Sequence, residues 1–174
     1  MKIYSFLLVF CTIAGCGSQP SINSNYSDSS YKTVLLPHMK GDTANYVHKT
    51  FLSAFESNTD VRFINHELIV ETSIELGLGA NIHNASLSTL RLIAKQLEAQ
   101  AIMLGYVKSG AISISSSSSI HSTIQLDLID VNSGQTITTS TVDESMTLRE
   151  RGSSLENATL DIIARYERVF ARLN

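Results

Sequence analysis

From Lys32 onward the spacing of apolar residues changes period several times, and each change marks an element. The run KTVLLP at 32–37 is short, β-branched and closed by proline, which predicts a buried strand. After the break at Gly41 and Asp42, Ala44, Val47, His48, Phe51 and Phe55 fall at i, i+3, i+4, i+7 and i+11. That is one stripe of a helix, with Asp42 or Thr43 as its cap. Asn58 to Asp60 make a turn, and 61–64 a second short strand. Asn65 can cap a second helix, with Glu67 at the positive end of its dipole and Gly77 as its stop. Its expected inner face is Leu68, Ile69, Thr72 and Leu76. Beyond a polar loop at 81–85, Ser86 or Ser88 opens a third helix carrying Leu87, Leu90, Ile93, Ala94 and Leu97.

The period then drops to two. Residues 101–107 read as a central buried strand, and Ile112 and Ile114 alternate with Ser113 and Ser115. Ile120, Ile124, Leu126 and Leu128 alternate with His121, Thr123, Gln125 and Asp127, and the serine run at 115–119 reads as the hairpin loop between. Asp130 to Gly134 form a second turn, with Gly134 suited to a positive φ. Residues 135–142 are a polar, Thr-rich strand with one face exposed. Ser153 and Glu156 make a capping box for a last helix striped by Leu155, Ile162, Ile163, Tyr166, Val169, Phe170 and Leu173. The order β-α-β-α-α-β-β-β-β-α predicts an α/β (α+β) fold, a mixed β-sheet packed by helices. It forms a single domain over 32–174, without repeats.

The amino terminus follows a different logic. Lys2 precedes an apolar stretch from Ile3 to Ile13, too short for the roughly 20 residues of a spanning helix, and small residues follow, as in a signal peptide. Ile13, Ala14, Gly15 and Cys16 resemble a bacterial lipobox, which implies cleavage after Gly15, diacylglycerol on the Cys16 thiol and an acyl chain on the new amine. Two or three chains on one cysteine make attachment effectively permanent, since each buried CH₂ contributes about 0.8 kcal/mol. Gly17 rather than Asp after the cysteine points to the outer membrane. Cleavage of the 1–15 leader also removes Cys11, so Cys16 is the one cysteine left and a disulfide framework is excluded. With Cys16, the Ser-rich stretch to Tyr31 makes a 16–31 tether, with a reach of about 20–23 Å for its fifteen residues past the cysteine.

The proline-closed strand at 34–37, the short strand at 61–64, the capped helix ending in Gly77 and Gly79, the run IAKQLEAQAIMLGYV at 93–107 and the strand IQLDLIDVNSGQ at 124–135 together resemble a known family. It is the periplasmic domain of curli-secretion-type (CsgG-like) outer-membrane lipoproteins. More distantly, the chain is similar to the TolB amino-terminal domain and to lipoprotein activators of penicillin-binding proteins. The most specific matches, A-x-A-I-M-L-G at 99–105 and D-x-N-S-G at 130–134, are fold signatures without chemistry. The resemblance implies a scaffold that binds proteins or builds rings. Two departures stand out. Curli channels carry long membrane hairpins, whereas the one long hairpin here, 111–129, has a serine tip and a face bearing His121, Gln125 and Asp127. Cell-wall-synthase activators reach through the envelope on long stems, which this tether cannot match.

Composition and motifs add mostly exclusions. The 174 residues carry a formal charge of −3, which gives no basic surface for a nucleic acid. His66-Glu67 begins an H-E-x-x-H pattern, but position 70 is Val, and His38, His48, His83 and His121 have no ligand spacing in sequence. Gly77 and Gly79 follow a helix rather than a strand, and no Gly-x-Ser-x-Gly elbow occurs. Asp127 and Asp130 point to opposite faces of a strand, against a paired-carboxylate site. Arg165, Arg168 and Arg172 share a helix face that suits an acidic partner or phospholipid headgroups. No catalytic residue, metal or cofactor is expected beyond the lipid on Cys16, and no enzyme.

The expectation is an outer-membrane lipoprotein acting as a protein-interaction module of an envelope assembly, on its own or self-associated into a ring. Its candidate recognition surfaces are the 135–142 strand as a sheet edge and the last helix. The alternatives are a ring-forming subunit of a curli-type secretion channel, an accessory activator of a cell-wall synthase, and a small-ligand binder with a concave apolar pocket.

Overall fold

A computed structural model describes residues 20–26, 30–41, 43–56, 60–114, 117–147 and 153–174, with the backbone alone at 111–114, 117–118 and 147. Five strands form one sheet in the order β2-β1-β3-β4-β5: β1 (Thr33–Leu35), β2 (Arg62–Ile64), β3 (Ala101–Ile114), β4 (Ser117–Asp130) and β5 (Thr136–Thr147). β1 is parallel to both β2 and β3, while β3, β4 and β5 form an antiparallel meander. Among the described residues four α-helices, α1 (Ala44–Phe55), α2 (His66–Glu75), α3 (Leu87–Gln96) and α4 (Ser154–Leu173), pack on the two faces. The mixed sheet covered by helices is the fold class that the residue periods dictate.

Alternation along the strands builds a core on each side. Val34, Ala101, Met103, Val107, Ile124, Leu126 and Leu128 face α1 and α4. Leu35, Ile64 and Ile102 face α2 and α3. The five stripe positions of α1 are its five buried residues. Phe51 and Phe55 meet Phe63, Tyr166 and Phe170 in an aromatic cluster with ring centres 4.9–6.1 Å apart. The Tyr166 hydroxyl donates to the Leu126 carbonyl at 2.7 Å, and burial, then the charge of Asp127, drives its pKa upward.

Caps fall where side-chain chemistry places them. Asn65 Oδ1 accepts from the Leu68 amide, Ser86 Oγ from Thr89 and Ser153 Oγ from Glu156. Thr43 holds the N-cap position of α1 without a side-chain bond, and Asp42 lies outside the described residues.

Three expectations are revised. The segments read as separate strands at 101–107 and 112–114 are one strand, because Ser109 and Gly110 stay in the ladder opposite Ser122 and His121. Three of the five serines assigned to the hairpin loop, 117–119, belong to β4, and the other two lie outside the described residues. In α2 the buried set is Ile69, Thr72 and Ser73, whereas Leu68 and Leu76 are exposed. Two hydroxyl bonds make that polar face buriable: Thr72 Oγ1 donates to the Leu68 carbonyl and Ser73 Oγ to the Gly79 carbonyl.

Part of the Ser-rich segment packs on the sheet. Residues 20–26 lie along β5: the Asn23 amide donates to the Ile137 carbonyl at 2.9 Å and Thr138 Oγ1 to the Ser21 carbonyl at 3.0 Å. Pro20 is buried, Ile22 and Tyr26 pack on the first core, and Tyr26 Oη meets Ser133 Oγ at 2.8 Å.

Candidate functional site

β1 hands its chain to α1 on one face of the sheet, and the neighbouring β2 hands its chain to α2 on the other. Adjacent parallel strands that diverge in this way leave a crevice outside their carboxyl ends, where open α/β sheets commonly bind ligands. Here the crevice is lined by histidine. His38 follows β1, His66 opens α2 after β2, His48 reaches in from α1 and His83 from the loop between α2 and α3. Ring centres lie 4.8 Å apart for His38 and His48, 5.0 Å for His38 and His66, 5.8 Å for His38 and His83, and 5.4 Å for His66 and His83.

The backbone around the cluster is closely determined. Lys40 bridges to β3, its amide donating to the Gly105 carbonyl at 2.9 Å while its carbonyl accepts from Val107 at 2.8 Å. Gly41 follows at φ +121°, where a Cβ would stand 1.7 Å from the Val107 carbonyl oxygen, so only glycine lets the chain turn here. His38 Nε2 donates to Asn45 Oδ1 on the first turn of α1. With that proton fixed, the Nδ1 of His38 carries the lone pair.

Nδ1 of His38, His48 and His66 is in each case buried and without a hydrogen-bond partner. His48 is 4% exposed, and its pKa is lowered to about 4, first by burial and then by the positive charge that His38 and His66 would add. Glu67 pulls weakly the other way. His66 is shifted down for the same reason, burial first, then His38 and His83. A cavity of about 200 Å³ opens over the cluster, with Ile82, Ala85, Leu87, Leu90 and Leu104 as apolar wall and Lys40, Tyr106 and Asp127 at its polar side.

None of this was visible in the spacing. The four residues are separated by ten, eighteen and seventeen positions, and only the sheet order and the crossing of α1 and α2 bring them together. His38 and His66 are half-buried, His83 is exposed and His48 is buried. His121 stands apart and exposed on β4.

The other candidates are dispersed. Ile13, Ala14, Gly15 and Cys16 lie outside the described residues. Asp127 accepts from Thr139 and Gln125, and Asp130 from Ser133 and Tyr31, so the two carboxylates serve separate networks. The last helix cannot offer its apolar stripe to a partner: Ile162, Tyr166, Val169 and Phe170 are buried against its own sheet. Nor do the arginines of α4 form one open face, because Arg165 bonds Asp161 at 2.8 Å and the Thr141 carbonyl at 2.9 Å. Most of 135–142 does lie in the outer strand of the sheet, which runs on to Thr147 and is partly covered by residues 20–26. An exposed apolar cleft appears instead at the α2–α3 side, where Leu76, Leu78 and Leu92 are 41, 42 and 56% exposed beside Lys95 and Gln96.

No protein-family model matches the sequence, and no curated protein matches it in sequence. In fold the chain is similar to the C-terminal domain of LpoB from Salmonella enterica, with a TM-score of 0.52 and 18% identity over 66% of this chain and 83% of that one. It is also similar to the lipoprotein GNA1162 from Neisseria meningitidis, with a TM-score of 0.54 and 12% identity over 79% of this chain and 99% of that one. The LpoB C-terminal domain from Escherichia coli matches with a TM-score of 0.52 and 15% identity, over 66% and 83%. At these identities the likeness is one of fold, and one fold hosts many functions.

Proposed function

We propose that the chain is a lipid-anchored protein at the periplasmic face of the outer membrane whose α/β domain docks a protein partner in an envelope assembly. The observation that carries the docking is the cleft of Leu76, Leu78 and Leu92. Large aliphatic side chains gathered in solvent mark a surface that a partner covers, and the polar neighbours Lys95 and Gln96 supply a rim. The anchor is the Cys16 lipobox, and a fold shared with a lipoprotein, GNA1162, supports the class by analogy.

The strap at 20–26 shortens the leash. From Cys16 to Pro20 the chain spans at most about 15 Å, so the domain works at the membrane surface. This favours a partner at that surface over a cell-wall synthase reached across the envelope. A ring-forming subunit with the 111–129 hairpin in a secretion pore is the alternative.

The test uses two variants of the full chain in cells. Cys16→Ala should move the protein from the membrane to the soluble periplasmic fraction. Leu78→Asp with Leu92→Asp should leave the melting temperature and the anchoring unchanged but abolish a photocrosslink formed from position 96. A Cys16→Ala variant that stays in the membrane overturns the anchor, and a crosslink that survives both aspartates overturns the docking surface.

A further inference from the structure

Four of the chain's five histidines converge on one crevice, and a bland explanation leaves something over. Buried polar atoms in native proteins are almost always hydrogen-bonded, and exceptions gathered in one place call for an unseen water or ion. Here three ring nitrogens, on His38, His48 and His66, are buried without a partner in one cluster.

Geometry narrows the choice. An imidazole bound to zinc through nitrogen at about 2.0–2.1 Å carries its ring centre roughly 3.2 Å from the ion, and the tetrahedral angle then sets two such centres about 5.2 Å apart. His38, His66 and His83 form a closed triangle with sides of 5.0, 5.4 and 5.8 Å, which brackets that separation. His38 also has the outer support that ligating histidines typically show: its far nitrogen donates to Asn45, which fixes the ring and leaves Nδ1 as the lone pair.

We propose that His38, His66 and His83 form a binding site for one divalent transition-metal ion of imidazole preference, zinc or copper, with the fourth coordination position open to the cavity. As the side chains stand, no group of three His, Cys, Asp or Glu among the described residues is placed to hold a metal ion. Closure therefore requires the rings to turn. His χ2 is a broad, two-fold torsion, and the rings that must swing most freely, half-buried His66 and exposed His83, lie on the open side. His48 stays behind His38 as a neutral packing partner at 4.8 Å.

The donor set is all nitrogen. Magnesium and calcium, which take oxygen ligands, do not suit it, whereas zinc, copper and nickel do. Lys40 and Asp127 at the cavity's polar side carry opposite charges, so the site's charge is set by the ion itself. The apolar wall of Ile82, Leu87 and Leu90 restricts water to the open position, where the ion would take a small anion or a donor from a partner. This inference does not depend on the docking role.

The experiment titrates Zn²⁺ and Co²⁺ into the full chain, extracted in detergent and stripped with a chelator, against a chromophoric competitor. One equivalent should bind, with the visible Co²⁺ absorption of a four-coordinate site, and Mg²⁺ should not compete. His66→Ala and the exposed His83→Ala should each weaken Zn²⁺ at least tenfold, while His121→Ala changes nothing. Lowering the pH should weaken binding, because protons compete for the same nitrogens. His83→Ala guards against misfolding, since its side chain is exposed. Stoichiometric binding that survives both His66→Ala and His83→Ala, binding lost with His121→Ala, or no binding to a folded chain would each overturn the site. The aspartate variants at Leu78 and Leu92 should bind Zn²⁺ normally, so failure of the docking reading and failure of this one are separately visible.

Discussion

His48 sits on α1 with its ring closed off from solvent and the His38 ring centre 4.8 Å away, an arrangement that disfavours a protonated ring. Its pKa, lowered to about 4 by burial first and by His38 and His66 second, makes it a pH-dependent element of stability. The unfolded chain takes up this proton near pH 6.5, the folded chain only near 4. The unfolded state therefore binds more protons between those values, and the stability fully present above about pH 6.5 is lost as the pH falls toward 4. The loss is on the order of 3 kcal/mol, which for a chain of this size lowers the melting temperature by roughly 5–10 °C. His48→Leu, close in volume and unable to take up the proton, should flatten that part of the profile. Melting curves at pH 7 and 4.5 with a chelator present measure it, and equal acid sensitivity in both proteins would contradict the burial argument.

At the scale of elements, what the chain made legible depended on whether an element's burial followed its own hydropathy. In α1 it did, and period alone picked out Ala44, Val47, His48, Phe51 and Phe55. In α2 it did not: Leu68 and Leu76 are the obvious apolar positions, yet Thr72 and Ser73 go inside because their hydroxyls find the Leu68 and Gly79 carbonyls. A hydrogen-bonded polar residue can displace a leucine from an inner face, and no count of apolar positions detects that. The consequence can be measured. Ile69→Ala should cost about 2–5 kcal/mol in urea unfolding, as for a buried aliphatic, while Leu76→Ala should cost less than about 1 kcal/mol. The reverse order would restore the face read from period. The same rotation of α2 turns Leu76 toward the apolar cleft that Leu78 and Leu92 complete. The histidine cluster was illegible for a different reason. Its members come from four segments, and their meeting is a property of sheet order and crossover direction, which local pattern does not encode.

For the whole molecule the deciding feature is how the sheet ends. β5 is a twelve-residue outer strand, and such an edge offers its outward backbone groups to any second copy unless something blocks it. Two contacts act as blocks: the strap bonds Ile137 through the Asn23 amide, and Arg165 takes the Thr141 carbonyl. The strap also lays Ile22 and Tyr26 on the core, so its removal would expose apolar surface and a strand edge in the same place. Light scattering of two truncated chains separates the possibilities. Residues 19–174, which keep the strap, should be monomeric over a wide concentration range. Residues 30–174, which lack it, should melt lower and self-associate with rising concentration. If both are monomeric, the strap does not guard the edge, and the Thr-rich outer face with its Arg165 contact suffices. If 19–174 already forms a discrete large oligomer, the strap is part of a subunit contact rather than a barrier. The ring-forming alternative then gains over docking by a single domain, and the β3–β4 hairpin becomes the segment whose deletion should dissolve that oligomer.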